Sequence, residues 1–153
     1  MIKILMVCLG NICRSPLAEG ILKSKVNSLE VLVDSAGTSD FHQGDLPDSR
    51  SIQIAKKYGI DITDQRSRPF KISDFDAFDI IYVMDKSNYQ NILNLAKNES
   101  DKQKVKLILS EINWSKSTEV PDPYNSGEKG FDQVFKMLDE ACAIISSKLN
   151  DAK

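Results

Sequence analysis

The chain has 153 residues, of which 41% are hydrophobic and 27% charged, and its formal net charge is −2. Length and composition predict one globular domain over residues 1–153 and argue against a disordered or coiled-coil chain. The balanced charge shows no basic stripe, and no apolar run approaches the ~20 residues of a bilayer span, so neither a nucleic-acid binder nor a membrane protein is expected.

Ile2 to Val7 is apolar except for Lys3. That pattern suits a strand buried on both faces of a parallel sheet. A lysine before an apolar run also resembles a secretory leader. Here the run is short, Asn11 and Arg14 follow closely, and no Ala-x-Ala-like cleavage site appears, so the reading is a first strand in a cytoplasmic protein. Gly10 and Asn11 then permit an unusual loop backbone. Pro16 opens a helical pattern in which Leu17, Ile21, Leu22 and Val26 recur at helical spacing. Val31 to Val33 reads as the second strand, ending at Asp34-Ser35-Ala36-Gly37, and Thr38 to Pro47 as polar loop. A helix follows over about Asp48 to Tyr58, with Ile52 and Ala55 inward and Gly59 as its stop.

Ile60 to Lys71 looks irregular, and a short helix covers Ser73 to Phe78. Asp79 to Met84 is the third strand, and Asp85 caps a helix reaching about Ala96. Lys97 to Lys104 is a charged run, expected to be a solvated and mobile connection. Val105 to Leu109 is the fourth strand. Val120-Pro121-Asp122-Pro123-Tyr124 is a loop stiffened by proline. Gly130 to Leu149 carries Phe131, Val134, Phe135, Leu138, Ala141, Cys142 and Ile145 on one helical face. Alternating strands and helices predict an α/β fold: a four-stranded parallel sheet with helices on both faces, three layers in a Rossmann-like arrangement. Sites in such sheets form at the carboxyl ends of strands near a topological switch point. Cys8 follows the first strand directly.

The cysteines are Cys8, Cys13 and Cys142, and the single histidine is His42. No C-x-x-C pair exists and the cysteine count is odd, so neither a zinc site nor a disulfide framework is expected. That usage favours a reducing compartment. One histidine argues against a Ser-His-Asp or Cys-His system. The segment Cys8-Leu9-Gly10-Asn11-Ile12-Cys13-Arg14-Ser15 lies between a strand and a helix N-terminus. Unpartnered N–H groups and the helix dipole make such a place an anion cradle. The amides from Leu9 to Ser15 can surround three phosphoryl oxygens, and the planar fork of Arg14 can hold two of them. The same field favours a thiolate at Cys8 without a histidine base, and Ser15 can donate its hydroxyl hydrogen to that sulfur.

This segment resembles the phosphate loop of the low-molecular-weight protein tyrosine phosphatases. The resemblance spans nearly the whole chain: Asp34-Ser35-Ala36-Gly37-Thr38, Met84-Asp85-Lys86-Ser87-Asn88 and Asp122-Pro123-Tyr124 match further segments of that family. It implies the phosphotyrosine phosphatase I-like fold and a two-step hydrolysis. Cys8 attacks phosphorus, Arg14 and the amides of Leu9, Gly10, Asn11, Ile12, Cys13, Arg14 and Ser15 bind the oxygens, and Asp122 protonates the leaving phenolate before activating water. It further implies that Asn11, Ser15 and Ser35 support the loop, and that Leu9, Ile12, Phe41 and Tyr124 line a slot suited to phenyl phosphate. Neither metal nor cofactor is implied. The implied partner is a phosphotyrosine-containing protein, at family level a bacterial tyrosine kinase of the exopolysaccharide type, and phosphate or vanadate is the implied inhibitor.

Two positions depart from the family pattern. Gln65 stands where a histidine is common, which puts its bonds to the loop network in question. Asn125 replaces the second tyrosine of animal members, so control by phosphorylation there is not expected. Three other readings compete. A protein-arginine phosphatase would carry threonine at the position of Ile12. An arsenate reductase would need relay cysteines, and 59–109 contains none. A phosphate-binding module without turnover would be expected to lack Cys8 or Asp122. The plainer expectations are a core position for Cys142, a rim position for His42, and capping or loop-anchoring roles for Asp34 and Asp85. A Cys8–Cys13 disulfide under oxidation stays open.

Overall fold

The computed structural model describes residues 1–112 and 118–151. Strand β1 (Ile2–Cys8) lies between β2 (Val31–Gly37) and β3 (Ile80–Val83), and β4 (Val105–Leu107) completes a sheet of order β2-β1-β3-β4. All three pairings are parallel. Ile4 to Cys8 are buried on both sides of the sheet, as the unbroken apolar run requires.

Helices cover both faces. Helix α1 (Arg14–Lys25), α2 (Ser49–Lys57) and α6 (Gly127–Asp151) enclose one core, where Leu17, Ile21, Ala55, Leu138 and Ile145 meet Ile4, Met6 and Cys8. Helices α3 (Asp74–Ala77) and α4 (Lys86–Leu93) contribute Phe75 and Ile92 to a second core against Leu5, Val7, Ile81 and Val83. In α2, Ile54 joins Ala55 as a buried residue, whereas Ile52 only packs on the core's edge.

Three expectations need correction. β2 runs on through Asp34 to Gly37, because these residues pair in register with Leu5 to Cys8 of the central strand. That ladder satisfies the backbone and overrides the turn character of the residues. β4 stops at Leu107, and Ile108–Glu111 forms a 3-10 turn instead. The charged run from Lys97 is not a loose connection: it holds α5 (Glu99–Gln103), whose N-cap Asn98 accepts from Asp101 N at 2.9 Å. Asp101 is buried and accepts from Lys97 N and Lys97 Nζ, and Lys104 Nζ donates to Phe75 O.

The strand order reverses at β1: its chain successor β2 lies on one side and β3 on the other. Loops leaving the carboxyl ends of β1 and β3 therefore diverge and open a crevice above Cys8.

Candidate active site

The loop after β1 owes its shape to its carbonyls. Cys8 O accepts from Thr38 N at 2.9 Å, Leu9 O from Ser39 N at 2.9 Å, and Ile12 O from Asp48 N at 2.7 Å. Gly10 O accepts from Ser67 Oγ at 2.9 Å and Cys13 O from Ser51 Oγ at 3.3 Å. Five acceptors are thus tied outward to the scaffold. Among the described residues, no N–H from Leu9 to Cys13 has an acceptor. Buried backbone donors demand partners, so an inward ring of free amides is a place for an anion. The close approach of Leu9 depends on Gly37, where a Cβ would stand 2.8 Å from Leu9 O.

Asn11 makes the turn. Its φ of 56° lies in the left-handed region, which asparagine tolerates better than most residues. Its Nδ2 donates to Ser15 Oγ at 2.8 Å and to Ser35 Oγ at 2.9 Å, and its Oδ1 accepts from Arg68 N at 3.0 Å. Cys8 Sγ lies 3.1 Å from Ser15 Oγ. Because Ser15 Oγ already accepts from Asn11, its own hydrogen is left for the sulfur.

Arg14 opens α1 and is only 2% exposed. Its Nη1 donates to Asp85 Oδ2 at 2.6 Å and to Val120 O at 2.9 Å. Among the described residues the Nε and Nη2 edge has no hydrogen-bond acceptor and can take a ligand, with Asp122 Oδ2 at 4.0 Å from Nη2. Burial opposes the guanidinium's charge, but Cys8, Asp85 and Asp122 outweigh it and hold the group above its ordinary range. Asp85 is itself fixed, because Oδ1 accepts from Asn88 N as the N-cap of α4. An Asp85→Asn protein can keep that cap through Oδ1, but it sets an amide Nδ2 where Oδ2 accepted from Arg14, so the charge and that acceptor are both lost. We expect it to lose about 1–3 kcal/mol of stability, and adding phosphate should restore part of the lost melting temperature.

These groups share one cleft of about 470 Å³. The buried Cys8, Arg14 and Cys13 line it together with Leu9, Ile12, Phe41, Tyr124 and Asp122. Phe41 and Tyr124 are exposed at the mouth, at 83% and 46%. Asp122 Oδ1 accepts from Tyr124 N at 3.1 Å, which fixes the carboxyl in an Asx turn. Ser35 does not line the cleft; it meets the loop through Asn11 Nδ2. His42 lies at the rim, with Nδ1 3.2 Å from Asp45 Oδ2, and Ser39 and Asn125 complete the wall. Asp34 anchors a loop through Arg68 at 3.2 Å. Burial, then Asp48 and Cys8, push the Cys13 thiol up to about 12. Cys142 is fully buried, and burial raises it to about 12 as well. All three cysteines are free thiols.

Gln65 does not join the Asn11–Ser35 network. Its Nε2 donates to Pro16 O at 3.0 Å. Among the described residues, no group of three or more His, Cys, Asp or Glu side chains is arranged to hold a metal ion.

Sequence reasoning missed Arg50. Its guanidinium pairs with Asp48, the N-cap of α2, and lies 5.4 Å from the Tyr124 ring centroid and 4.5 Å from that of Phe131. The Asp48-x-Arg50 spacing was the available signal. Arg50 backs Tyr124, so Arg50→Ala should raise KM for a phosphotyrosine peptide about two- to fivefold with little change in kcat, the size of an exposed cation–π contact.

The model of the family described as low molecular weight phosphotyrosine protein phosphatase matches residues 3–153. The low molecular weight phosphotyrosine protein phosphatase of Schizosaccharomyces pombe is 41% identical, with 90% of each chain covered. A crystal structure of the protein tyrosine phosphatase from Entamoeba histolytica superposes with a TM-score of 0.94 at 41% identity over 99% of each chain. Wzb from Vibrio vulnificus, solved with benzylphosphonate, gives a TM-score of 0.86 at 28% identity over 96% of this chain and 98% of that one. With sequence, fold and phosphate-loop segment in agreement, this chain belongs to the low molecular weight phosphotyrosine protein phosphatase family.

Proposed function

We propose that this chain hydrolyses phosphotyrosine monoesters through a phosphocysteine at Cys8, and that residues 1–153 act as one catalytic unit. The observation that carries the reading is the loop of outward-tied carbonyls and free amides around Cys8, with Asp122 lining the same cleft.

The phosphate group enters with its three terminal oxygens toward the amides of Leu9 to Ser15 and the Nε and Nη2 edge of Arg14. These donors meet the charge that grows on those oxygens in the transition state. Cys8 Sγ attacks phosphorus in line, the S–P bond forms, and the P–O bond to the aryl group breaks. Asp122, protonated at the start, gives its proton to the departing phenolate. The Asp122 carboxylate then takes a proton from water, whose oxygen attacks phosphorus. The S–P bond breaks, inorganic phosphate leaves, and Cys8 is restored.

The walls select the substrate. Leu9, Ile12, Phe41 and Tyr124 make an apolar slot, which suits an aryl ester better than a short serine phosphate. The benzylphosphonate held by the Vibrio vulnificus relative is consistent with such a slot. Apolar Ile12 speaks against a phosphoarginine substrate, and Cys142, buried with Sγ 3.8 Å from Ala18 O, cannot relay a disulfide for arsenate reduction. We further propose a phosphorylated bacterial tyrosine kinase as partner and inhibition by phosphate or vanadate. No described helix is long and apolar enough to cross a membrane. Three free thiols support a cytoplasmic setting.

The test is hydrolysis of matched phosphotyrosine and phosphoarginine peptides by the wild-type protein, in the presence of a chelator. Turnover with preference for phosphotyrosine is expected. A well-folded protein that binds vanadate without turnover, or that prefers phosphoarginine, overturns the proposal.

A further inference from the structure

We propose that the surface residue Lys23 is a positioning residue for Cys8, acting through Glu19, Ser35, Asn11 and Ser15. The inference rests on Cys8 being the reacting group, and it concerns how the direction of its hydrogen bond is set.

Glu19 lies on α1 and is only 3% exposed, although it is a carboxylate. Its Oε2 accepts from Lys23 Nζ at 2.5 Å, and its Oε1 accepts from Ser35 Oγ at 2.6 Å. Among the described residues, Lys23 is the one cation paired with it. The groups around it do not replace that cation. On β2, Asp34 is a like charge and disfavours ionisation. Arg68 is engaged by Asp34 and Asp74. On α6, Cys142 is a neutral thiol on Ala18 O. Gln65 carries no charge and is bonded to Pro16 O. Burial pushes the Glu19 carboxyl up, and the bonds from Lys23 and Ser35 pull it back.

An ionised carboxylate accepts only. Ser35 therefore spends its single hydrogen on Glu19, and its oxygen can only accept, which it does from Asn11 Nδ2. Asn11 cannot flip without setting its Nδ2 against Arg68 N and its Oδ1 against two hydroxyl oxygens that both need a donor. The second Asn11 hydrogen goes to Ser15 Oγ, whose remaining hydrogen faces Cys8 Sγ. Charge at the far end of the chain thus fixes a donor at the sulfur. A protonated Glu19 can instead donate to Ser35, which frees the Ser35 hydrogen and removes the fixed direction.

The side chain of Lys23 is 47% exposed, so replacing it leaves the core intact. The experiment compares wild type, Lys23→Met, Lys23→Arg and Glu19→Gln from about pH 5.5 to about pH 8, on the side of the ordinary carboxyl range toward which burial pushes Glu19. Two rates are followed: aryl phosphate hydrolysis, and alkylation of Cys8 by iodoacetamide read by mass spectrometry. Lys23→Met should be slower than wild type by about three- to tenfold at the acid end, the scale of one hydrogen bond. The deficit should shrink as pH rises and Glu19 ionises without its cation. Lys23→Arg should follow the wild-type profile, and Glu19→Gln should show a deficit that does not change with pH. A Lys23→Met protein with an unchanged or pH-independent rate ratio overturns the inference. Alkylation reads the sulfur even in a protein that hydrolyses nothing, so failure of the phosphatase reading and failure of this one are separate results.

Discussion

A Cys8→Ser protein should lose aryl phosphate turnover by ~10⁴-fold or more while still binding phosphate, because every donor of the cradle survives the change. Serine offers a hydroxyl in place of the sulfur, and Asp122, which must enter the step protonated to serve the leaving group, cannot take its proton. His42 is the only histidine, and it is occupied by Asp45 at the rim. The amides of Leu9 to Cys13 and the Nε and Nη2 edge of Arg14 do not depend on Sγ. Steady-state kinetics and phosphate titration by calorimetry check the two halves. Residual activity above about 1% of wild type contradicts a phosphocysteine route, since a factor of only ~100 corresponds to under 3 kcal/mol of barrier. Loss of phosphate affinity along with turnover would mean that the sulfur shapes the loop.

Asp122→Asn gives the second large effect, and its signature is selectivity between leaving groups. Asparagine keeps an Oδ1 that accepts from Tyr124 N, so the Asx turn at 3.1 Å is preserved and only the proton is removed. General acid catalysis contributes about 10²–10⁴-fold. Phosphotyrosine, with a poor leaving group, should lose most of that factor. Nitrophenyl phosphate, whose phenolate leaves without help, should lose far less. An equal loss for both esters excludes proton donation by Asp122 and leaves it a merely structural place in the loop.

Much of this site was readable because it is local in the chain. Cys8 to Ser15 are consecutive, and the strand before them and the helix after them announce themselves by hydropathy. The parallel sheet followed from alternation alone. What stayed hidden depends on residues far apart in sequence. Asp85 was visible as a helix cap, but its second oxygen reaches Arg14, which lies 71 positions away. The bond from Asp48 N to Ile12 O ties α2 to the loop and carries no sequence mark, since any non-proline backbone can make it. Nothing in the sequence marks Glu19. An i, i+4 spacing to Lys23 is common to exposed helix pairs, whereas packing of α1 buries this carboxylate. The charged run after Lys97 misled because composition hides a cap: Asn98 and the buried Asp101 turn it into α5.

The outward-tied carbonyls have a consequence for recognition. Ordering a backbone residue costs about 1–2 kcal/mol of conformational entropy. Here β2, α2 and Ser67 have ordered the loop before any substrate arrives, so the anion meets a finished receptor. Association should then be rigid-body docking, with rates set by diffusion into the cleft rather than by loop closure. The weak point moves away from the cleft, to the seam where Thr38 and Ser39 clasp Cys8 and Leu9: loosening that seam unmakes the receptor while the cysteine, the arginine and the aspartate are all still present.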